Sequence, residues 1–345
     1  MISFLSLQVE QRRQLFEQAS VRSGIQTVAL EKDWWVTLAL KALFNTPYAQ
    51  HCIFKGGTSL SKVWSLIERF SEDIDIALAP EAFGMDYLSE PSHAYVKQLK
   101  RKGCLFTSNE LKIALENSFA ALGFPASIVF ISAAPVPDDM PDRDPQTLFI
   151  HSPSLFEENS YIPAEVKMEF GVRSLKEPYS IAQIQSILSS AFPTALYQEV
   201  SFSVAAVEPR KTMLEKMFLL HEKFNRSYSE VLIGDRQSRH LYDLICLLNS
   251  PVAPDVLKDT ALYQQLLKHR KHYVRSPGLN YDQLINRNLS FVPPAAFLDA
   301  FKKDYAAMQS TMIYGNSVDF DAMINLLSDF HARFITQPSL PLHHQ

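Results

Sequence analysis

The stretch CIFKGGTSLSKVWSLIERFSEDIDIAL, residues 52–78, decides the fold of this chain. Its first four residues form a short β-prone run that ends at Gly56 and Gly57. Two adjacent glycines let the backbone turn tightly and approach a ligand closely. The stretch therefore predicts a strand, a glycine turn, a helix and a second strand, with a binding site at the turn.

The helix after the glycines has Thr58 and Ser59 as candidate N-caps and is expected to continue through Glu68. The N-terminus of a helix presents unpaired N–H groups, and these suit a phosphate. The predicted site for a nucleoside triphosphate consists of the turn, the residue before it and the helix start: Lys55, Gly56, Gly57, Thr58 and Ser59.

The second strand carries two carboxylates. Asp73 and Asp75 alternate with Ile74 and Ile76, so the acids share one face and the isoleucines point into a core. Neighbouring carboxylates repel each other, and a divalent cation supplies a reason for the pairing. Because Mg²⁺ is usually held by one or two carboxylates plus substrate phosphates, we expect Asp73 and Asp75 to bind Mg²⁺ or Mn²⁺. Taken alone, the glycine pair is also typical of a turn and the acids of a solvated strand face.

A third carboxylate is expected on the strand predicted at residues 162–171, where Glu165, Lys167 and Glu169 share the polar face. Such a group would help hold the metal and take the proton of an attacking hydroxyl. Glu169 is the first candidate and Glu165 the second. A strand face exposed to water is the alternative.

Two helices in the second half add a lysine and an acid. Residues 209–224 form a helical pattern with Pro209 near the first turn, a favoured position for proline. The residues four positions from Lys216 cannot pair with its charge, which favours a ligand role over that of a surface lysine. On the helix predicted at residues 235–248, Asp243 shares a face with Arg239, so an ordinary i,i+4 ion pair is one interpretation.

Several of these strings together resemble the signature of the AbiEii/AbiGii toxin family within the nucleotidyltransferase superfamily. The central strings are FKGGTSLSKVW and IERFSEDIDI, and weaker matches follow in the expected order: EKDWWVTLALKALF (31–44), VKMEFGVR (166–173), PRKTMLEKMFLLH (209–221) and RHLYDL (239–244). The resemblance covers roughly residues 25–250. It implies an α/β (α+β) fold with a mixed sheet, followed by a helical C-terminal domain.

The resemblance also implies a function: transfer of a nucleotide from an NTP to an acceptor hydroxyl, with release of pyrophosphate. It gives Lys216 a contact with the nucleotide and Asp243 a place at the catalytic cleft, beside Asp73, Asp75 and Glu169. It further implies a toxin of a bacterial toxin–antitoxin or abortive-infection pair, an antitoxin partner, and the 3′ end of tRNA as first acceptor. Two alternatives remain open, which are nucleotidylation of a protein hydroxyl and a non-catalytic NTP-binding regulator.

Composition is that of an ordinary globular protein with a net charge of −4. Its cysteines, Cys52, Cys104 and Cys246, are widely spaced and odd in number, so they predict neither a disulfide framework nor a zinc site and fit a reducing cytoplasm. No apolar run is long enough to span a membrane. Residues 1–208 hold 17 Lys and Arg against 24 Asp and Glu, giving −7, and residues 209–345 hold 16 against 13, giving +3.

A basic cluster with an aromatic ring stands in that more positive half. Its members are Lys268, Arg270, Lys271, Tyr273 and Arg275. Cations interleaved with a stacking ring suit a single-stranded or acceptor-end RNA, and a solvated helix end is the alternative.

The predicted domains are residues 1–208, a catalytic domain with N-terminal helices, and residues 209–336, a helical domain, with a disordered tail at 337–345. Further helices are predicted at 6–20, 28–44, 107–122, 181–190, 254–268, 294–310 and 318–335. Further strands are predicted at 127–133, 147–152 and 201–207.

Overall fold

The computed structural model describes residues 4, 6–71, 73–137, 140–156, 165–192, 200–225, 236–285 and 287–336. Within these ranges the chain forms two compact units. The first comprises residues up to Val63, Phe70–Leu88 and His93–Val207, and the second begins at Glu208 and also takes in Trp64–Arg69 and Ser89–Ser92. The predicted tail at 337–345 lies outside the described residues.

The first unit is built on a seven-stranded mixed sheet in the order β3-β4-β5-β2-β1-β7-β6. The strands are β1 (Cys52–Lys55), β2 (Ile74–Leu78), β3 (Phe130–Ala133), β4 (Gln146–His151), β5 (Val166–Gly171), β6 (Tyr179–Ile184) and β7 (Phe202–Val207). β2 pairs antiparallel with β1 and parallel with β5, so the DxD strand lies in the interior of the sheet. This mixed sheet confirms the predicted α/β class.

Six α-helices in the described residues accompany the sheet. They are α1 (Val9–Ser23), α2 (Thr27–Phe44), α3 (Gly56–Lys62), α4 (His93–Phe106), α5 (Lys112–Ala121) and α6 (Ile187–Ala191). α2 packs on β5 and β7, and its Trp34 is almost completely buried. Two charged side chains of α2 are buried as well: Lys32 donates to the backbone carbonyl of Glu165, and Asp33 pairs with Lys62 at 2.6 Å. These contacts fasten the helix to the sheet and to α3.

The second unit is helical in its described part. Its α-helices are α7 (Pro209–Phe224), α8 (Ser238–Leu248), α9 (Val252–Lys258), α10 (Thr260–His269), α11 (Leu298–Thr311) and α12 (Phe320–Ile335). The helix predicted at 254–268 is divided at Asp259, whose side chain caps α10 by accepting from the N–H of Leu262 at 2.9 Å.

Between residues 56 and 122, the predicted bounds of two helices were wrong. The helix after the glycines ends at Lys62 instead of Glu68, because Ser65 adopts a positive φ of 51° and residues 64–69 join the second unit. The helix expected from residue 107 has no separate start: helical backbone continues from α4 through a π-helical turn, Thr107–Leu111, into α5.

β6 was missed, because its residues were assigned in part to a helix at 181–190. The structure instead pairs Tyr179–Ile184 with β7 and places the helix at Ile187–Ala191, where the Ser186 side chain caps it. One strand was predicted to begin at residue 162 and one helix at residue 235. Both of these residues lie outside the described ranges.

Candidate active site

The backbone of the glycine turn lies directly against the side chain of Asp75. Gly56 has a φ of +79°, which L side chains rarely adopt. A Cβ built at Gly56 would stand 2.2 Å from Asp75 Oδ2. The backbone therefore approaches Asp75 more closely than any side-chain-bearing residue would allow, and this explains the requirement for glycine here.

Thr58 and Ser59 fasten this turn internally. Both are buried. The Thr58 hydroxyl donates to the backbone carbonyl of Asp73 and lies 2.9 Å from the hydroxyl of Ser71, while Ser59 donates to the carbonyl of Gly56 at 2.9 Å. Because α3 begins at Gly56, the two residues lie inside the helix, and the prediction that one of them is the N-cap was wrong.

The acidic residues form a row across the sheet. Asp75 pairs with Glu169 in the β2–β5 ladder and with Lys55 in the β1–β2 ladder. Paired residues in adjacent strands share a face. Asp73 lies just before β2, two positions from Asp75, and the charges of both act on Lys167 of β5. The structure thus brings together the three acids that the sequence proposed for a metal and the reacting groups.

A lysine that the sequence analysis left without a role lies among these acids. Lys167 Nζ is 2.8 Å from Glu169 Oε1. Burial would lower the pKa of Lys167, but its hydrogen bond to Glu169 and the charges of Asp73, Glu169 and Asp75 raise it above the ordinary value. The two-residue alternation of Glu165, Lys167 and Glu169 was the available signal, since it places the cation between two acids on one face.

The choice between the two candidates for the third acid follows from their partners. Glu165 Oε2 lies 3.5 Å from His151 Nδ1, whereas Glu169 is the ladder partner of Asp75. Glu169 is therefore the acid beside the DxD pair.

The oxygen ligands of this row suit a hard divalent cation. Among the residues that the structure describes, no group of three or more His, Cys, Asp or Glu side chains already surrounds a common point. Mg²⁺ does not require one, because one or two carboxylates and substrate phosphates usually hold it. The donor set of Asp73 and Asp75 fits that pattern, and Lys167 is a cation that already faces it.

The other two predicted catalytic residues, Lys216 and Asp243, belong to the second unit and form a buried ion pair there. Lys216 Nζ lies 2.8 Å from Asp243 Oδ2. Arg69 donates two hydrogen bonds to the same carboxylate, from Nε at 2.7 Å and from Nη2 at 2.8 Å. The side chain of Asp243 is fully buried, and that of Arg69 is 2% exposed.

The charged side chains of this network shift one another's pKa values. Burial alone would raise the pKa of Asp243, but the charges of Arg69 and Lys216 outweigh it and hold that pKa well below its usual range. Burial lowers the pKa of Lys216, and the charge of Asp243 offsets only part of that effect. Arg69 is 174 residues from Asp243, so no local sequence pattern could have identified this partner.

The basic cluster at 268–275 does not present the surface that the sequence predicted. Tyr273 is 2% exposed and stacks on His269 with ring centroids 4.6 Å apart, so it cannot stack on a base. Arg270 binds both oxygens of Glu222, at 2.7 and 2.5 Å, with its side chain 13% exposed. Burial and internal contacts of both side chains argue against their predicted contact with RNA.

The remaining three cations of the cluster are paired as well. Lys268 lies 2.7 Å from Glu90, and Lys271 lies 2.6 Å from Asp282. Arg275 donates to the backbone carbonyls of His272 and Pro91. Their contact with RNA stays a prediction, and this pairing favours the solvated helix end.

A mixed sheet with a glycine turn packed against a DxD strand and a third acid on the neighbouring strand is the arrangement of a nucleotidyltransferase. The family model for the nucleotidyl transferase AbiEii toxin of type IV toxin–antitoxin systems matches residues 38–326. The chain belongs to this family. Among curated proteins, none matches the chain significantly.

A solved structure resembles the chain along nearly its whole length. It is MenT4, a nucleotidyltransferase toxin from Mycobacterium tuberculosis H37Rv, with 18% sequence identity and a TM-score of 0.45. The match covers 95% of this chain and 99% of that one. In the described part of the chain, no helix has the length and hydropathy of a membrane span.

Proposed function

We propose that this toxin transfers a nucleotide from an NTP to the 3′-terminal hydroxyl of an RNA, with tRNA as first acceptor and Mg²⁺ as cofactor. The observation that carries the proposal is the row formed by Asp75 and its ladder partner Glu169, with the backbone of Gly56 held against Asp75. Family membership supports the nucleotide substrate and implies an antitoxin partner.

Mg²⁺ bound by Asp73 and Asp75 would stabilise the charge that develops on the phosphates and orient them for in-line displacement. Mn²⁺ presents a similar charge to the same oxygens. In the resting protein, Lys167 offsets the repulsion among these acids by pairing with Glu169.

The glycine turn is proposed to hold the phosphates. The first N–H groups of a helix lack intrahelical partners, and at the start of α3 these belong to Gly56, Gly57 and the two residues after them. The hydroxyls of Thr58 and Ser59 make internal hydrogen bonds to the backbone, so their role is to fix the turn. Lys55 adds a cation in the same row as Asp75.

The chemical step exchanges one phosphoester bond for another. The acceptor oxygen attacks the α-phosphorus, a new oxygen–phosphorus bond forms, and the bond to the bridging oxygen of pyrophosphate breaks. Glu169 would take the proton of the attacking hydroxyl, directly or through water. Lys167 holds the Glu169 carboxylate in position for this transfer.

For Lys216 and Asp243, the proposed roles are those that the family resemblance implies. Lys216 is expected to contact the nucleotide, since an ammonium suits a triphosphate. The buried pair with Asp243 fixes the direction of its side chain. Arg69 fixes Asp243 in turn.

The test is incubation of the purified protein with each of the four α-labelled NTPs, Mg²⁺ and tRNA. A matched arm uses periodate-oxidised tRNA, which lacks the terminal hydroxyls. Label in intact tRNA alone supports the proposal. A further arm adds total cell protein, and label in that protein and not in tRNA would make a protein hydroxyl the acceptor. Binding of NTP without any transfer would favour the non-catalytic regulator. Either result overturns it.

A further inference from the structure

The polar face of the sheet continues beyond the acids onto two more strands. In the β4–β5 ladder, Thr147 pairs with Glu169 and Phe149 pairs with Lys167. In the β3–β4 ladder, Ser132 pairs with Phe149 and Phe130 pairs with His151. Because ladder partners share a face, one surface leads from Asp75 on β2 to Phe130 on β3. Side chains that alternate with them on β5, such as Met168, are buried on the other side.

Aromatic rings are collected at the far end of this surface. Phe130 is 55% exposed, which is unusual for a large apolar ring. It stacks on the imidazole of His151, with ring centroids 4.2 Å apart and an interplanar angle of 9°. Phe149 lies next to the pair, with its ring centroid 6.4 Å from that of His151. The three rings together give this end of the surface a stacking platform, and the ring of Phe130 is accessible to solvent.

The imidazole in this stack is held from both sides. Ser132 Oγ lies 2.8 Å from His151 Nε2, and Glu165 Oε2 lies 3.5 Å from Nδ1. These contacts set the plane of the ring, and through the stack they set the plane of Phe130. The platform is therefore formed before any partner arrives, which reduces the entropy lost on binding.

We propose that this face, formed by Phe130, Phe149, His151 and Lys167, binds the single-stranded end of the acceptor RNA. The proposal rests on the function proposed above, since it names the route by which the acceptor reaches Asp75. Sheets that bind RNA stack unpaired bases on aromatic side chains of one face. β3 lies three strands from β2, about 14 Å at the usual strand spacing, a span that a few nucleotides cover.

The charges of the face favour stacking over phosphate contacts. Lys167 interacts with Asp73, Asp75 and Glu169, so the surface is not a basic patch. A duplex, which is bound mainly through its phosphates, does not suit it. A single strand suits it better, because every base has a ring face and stacking tolerates any sequence. Binding should therefore depend weakly on salt, with a log–log slope close to that of a single phosphate contact, about 0.7.

The test removes the exposed ring. In Phe130→Ala, we expect the KM for tRNA to rise by about tenfold, a change that corresponds to 1.4 kcal/mol and lies in the range of one base–aromatic stack. The KM for NTP should stay unchanged, and Phe130→Trp should restore tRNA binding. The control is Ile181→Ala, which removes a 66% exposed apolar side chain from the opposite edge strand, β6.

A second measurement separates this proposal from the proposed function. Fluorescence anisotropy of a labelled single-stranded RNA oligonucleotide reports binding without transfer. If the wild type binds it and Phe130→Ala binds at least fivefold more weakly, the face is supported even where no transfer occurs. If the wild type labels tRNA but Phe130→Ala keeps the wild-type KM and anisotropy, the face is refuted while the proposed function stands. A steep salt slope typical of several phosphate contacts would also refute it.

Discussion

Substituting Gly56 by alanine tests whether the glycine turn exists to accommodate the catalytic acid. The new Cβ would meet Asp75 Oδ2 at 2.2 Å, and real Cβ atoms essentially never come within 3.0 Å of a heavy atom of a residue that is distant in the chain. The carboxylate is the flexible partner, so it has to move by about 0.8 Å, the difference between these distances. Gly56→Ala should therefore displace Asp75 from its place beside Glu169.

The expected loss of activity is large compared with the loss of stability. A misplacement of about 1 Å in a catalytic group can cost about 100-fold in rate, so kcat should fall by about that factor. Backbone strain from an L residue at positive φ should lower the free energy of unfolding by about 1–2 kcal/mol. Both effects come from one methyl group, but they act on different observables.

Gly84→Ala is the matched control. Gly84 has a φ of +68° and nothing within 4 Å of a built Cβ, so it carries the same strain without a clash. Label transfer and thermal unfolding are measured for both variants. Similar melting temperatures with activity lost only in Gly56→Ala would agree with the geometry. Wild-type kcat in a folded Gly56→Ala protein would refute the reasoning, because Asp75 would then not depend on the turn.

Three further outcomes are expected. Asp243→Asn should destabilise the protein by about 3–5 kcal/mol in denaturant unfolding, because Arg69 and Lys216 keep buried charges without their counter-ion; a loss below about 1 kcal/mol would contradict this. The lowered pKa of Asp243 stabilises the fold above about pH 4, the unfolded value, and this contribution is lost as the pH falls further. Wild type should accordingly lose stability more steeply than Asp243→Asn in acid melts, and parallel curves would argue against it. Lys167→Met should tighten Mg²⁺ binding by roughly fivefold in calorimetry, since it removes a cation that interacts with Asp73 and Asp75, worth about 1 kcal/mol; weaker binding would show that Lys167 supports the metal instead.

Local patterns predicted the parts of the site that lie in one segment. The alternation of Asp73 and Asp75 with isoleucines predicts both acids on one face, and in the structure the charges of both raise the pKa of Lys167. The helix predicted at residues 209–224 has these bounds in the structure. Its start could be predicted because proline is favoured in the first turn of a helix. Glu169 was placed by the same two-residue period, which is also the period of the strand it occupies.

Contacts between distant segments could not be predicted in this way. Nothing near Asp243 in the sequence indicates Arg69, which reaches it across 174 positions. The predicted helix to Glu68 failed for the same reason, since residues 64–69 leave it to join another unit. The cations around Tyr273 favoured a stacking role for its ring, but the ring is buried in the helical unit, and composition does not show such tertiary packing.

Incorporation of α-labelled nucleotide by wild type, Asp73→Asn and Asp75→Asn tests the central claim most directly. The paired acids repel each other, so their replacement should leave the fold and its circular dichroism intact while transfer falls to background at every Mg²⁺ concentration. Label incorporation by either folded variant at a rate comparable to that of the wild type would contradict the assignment of this row as the catalytic centre.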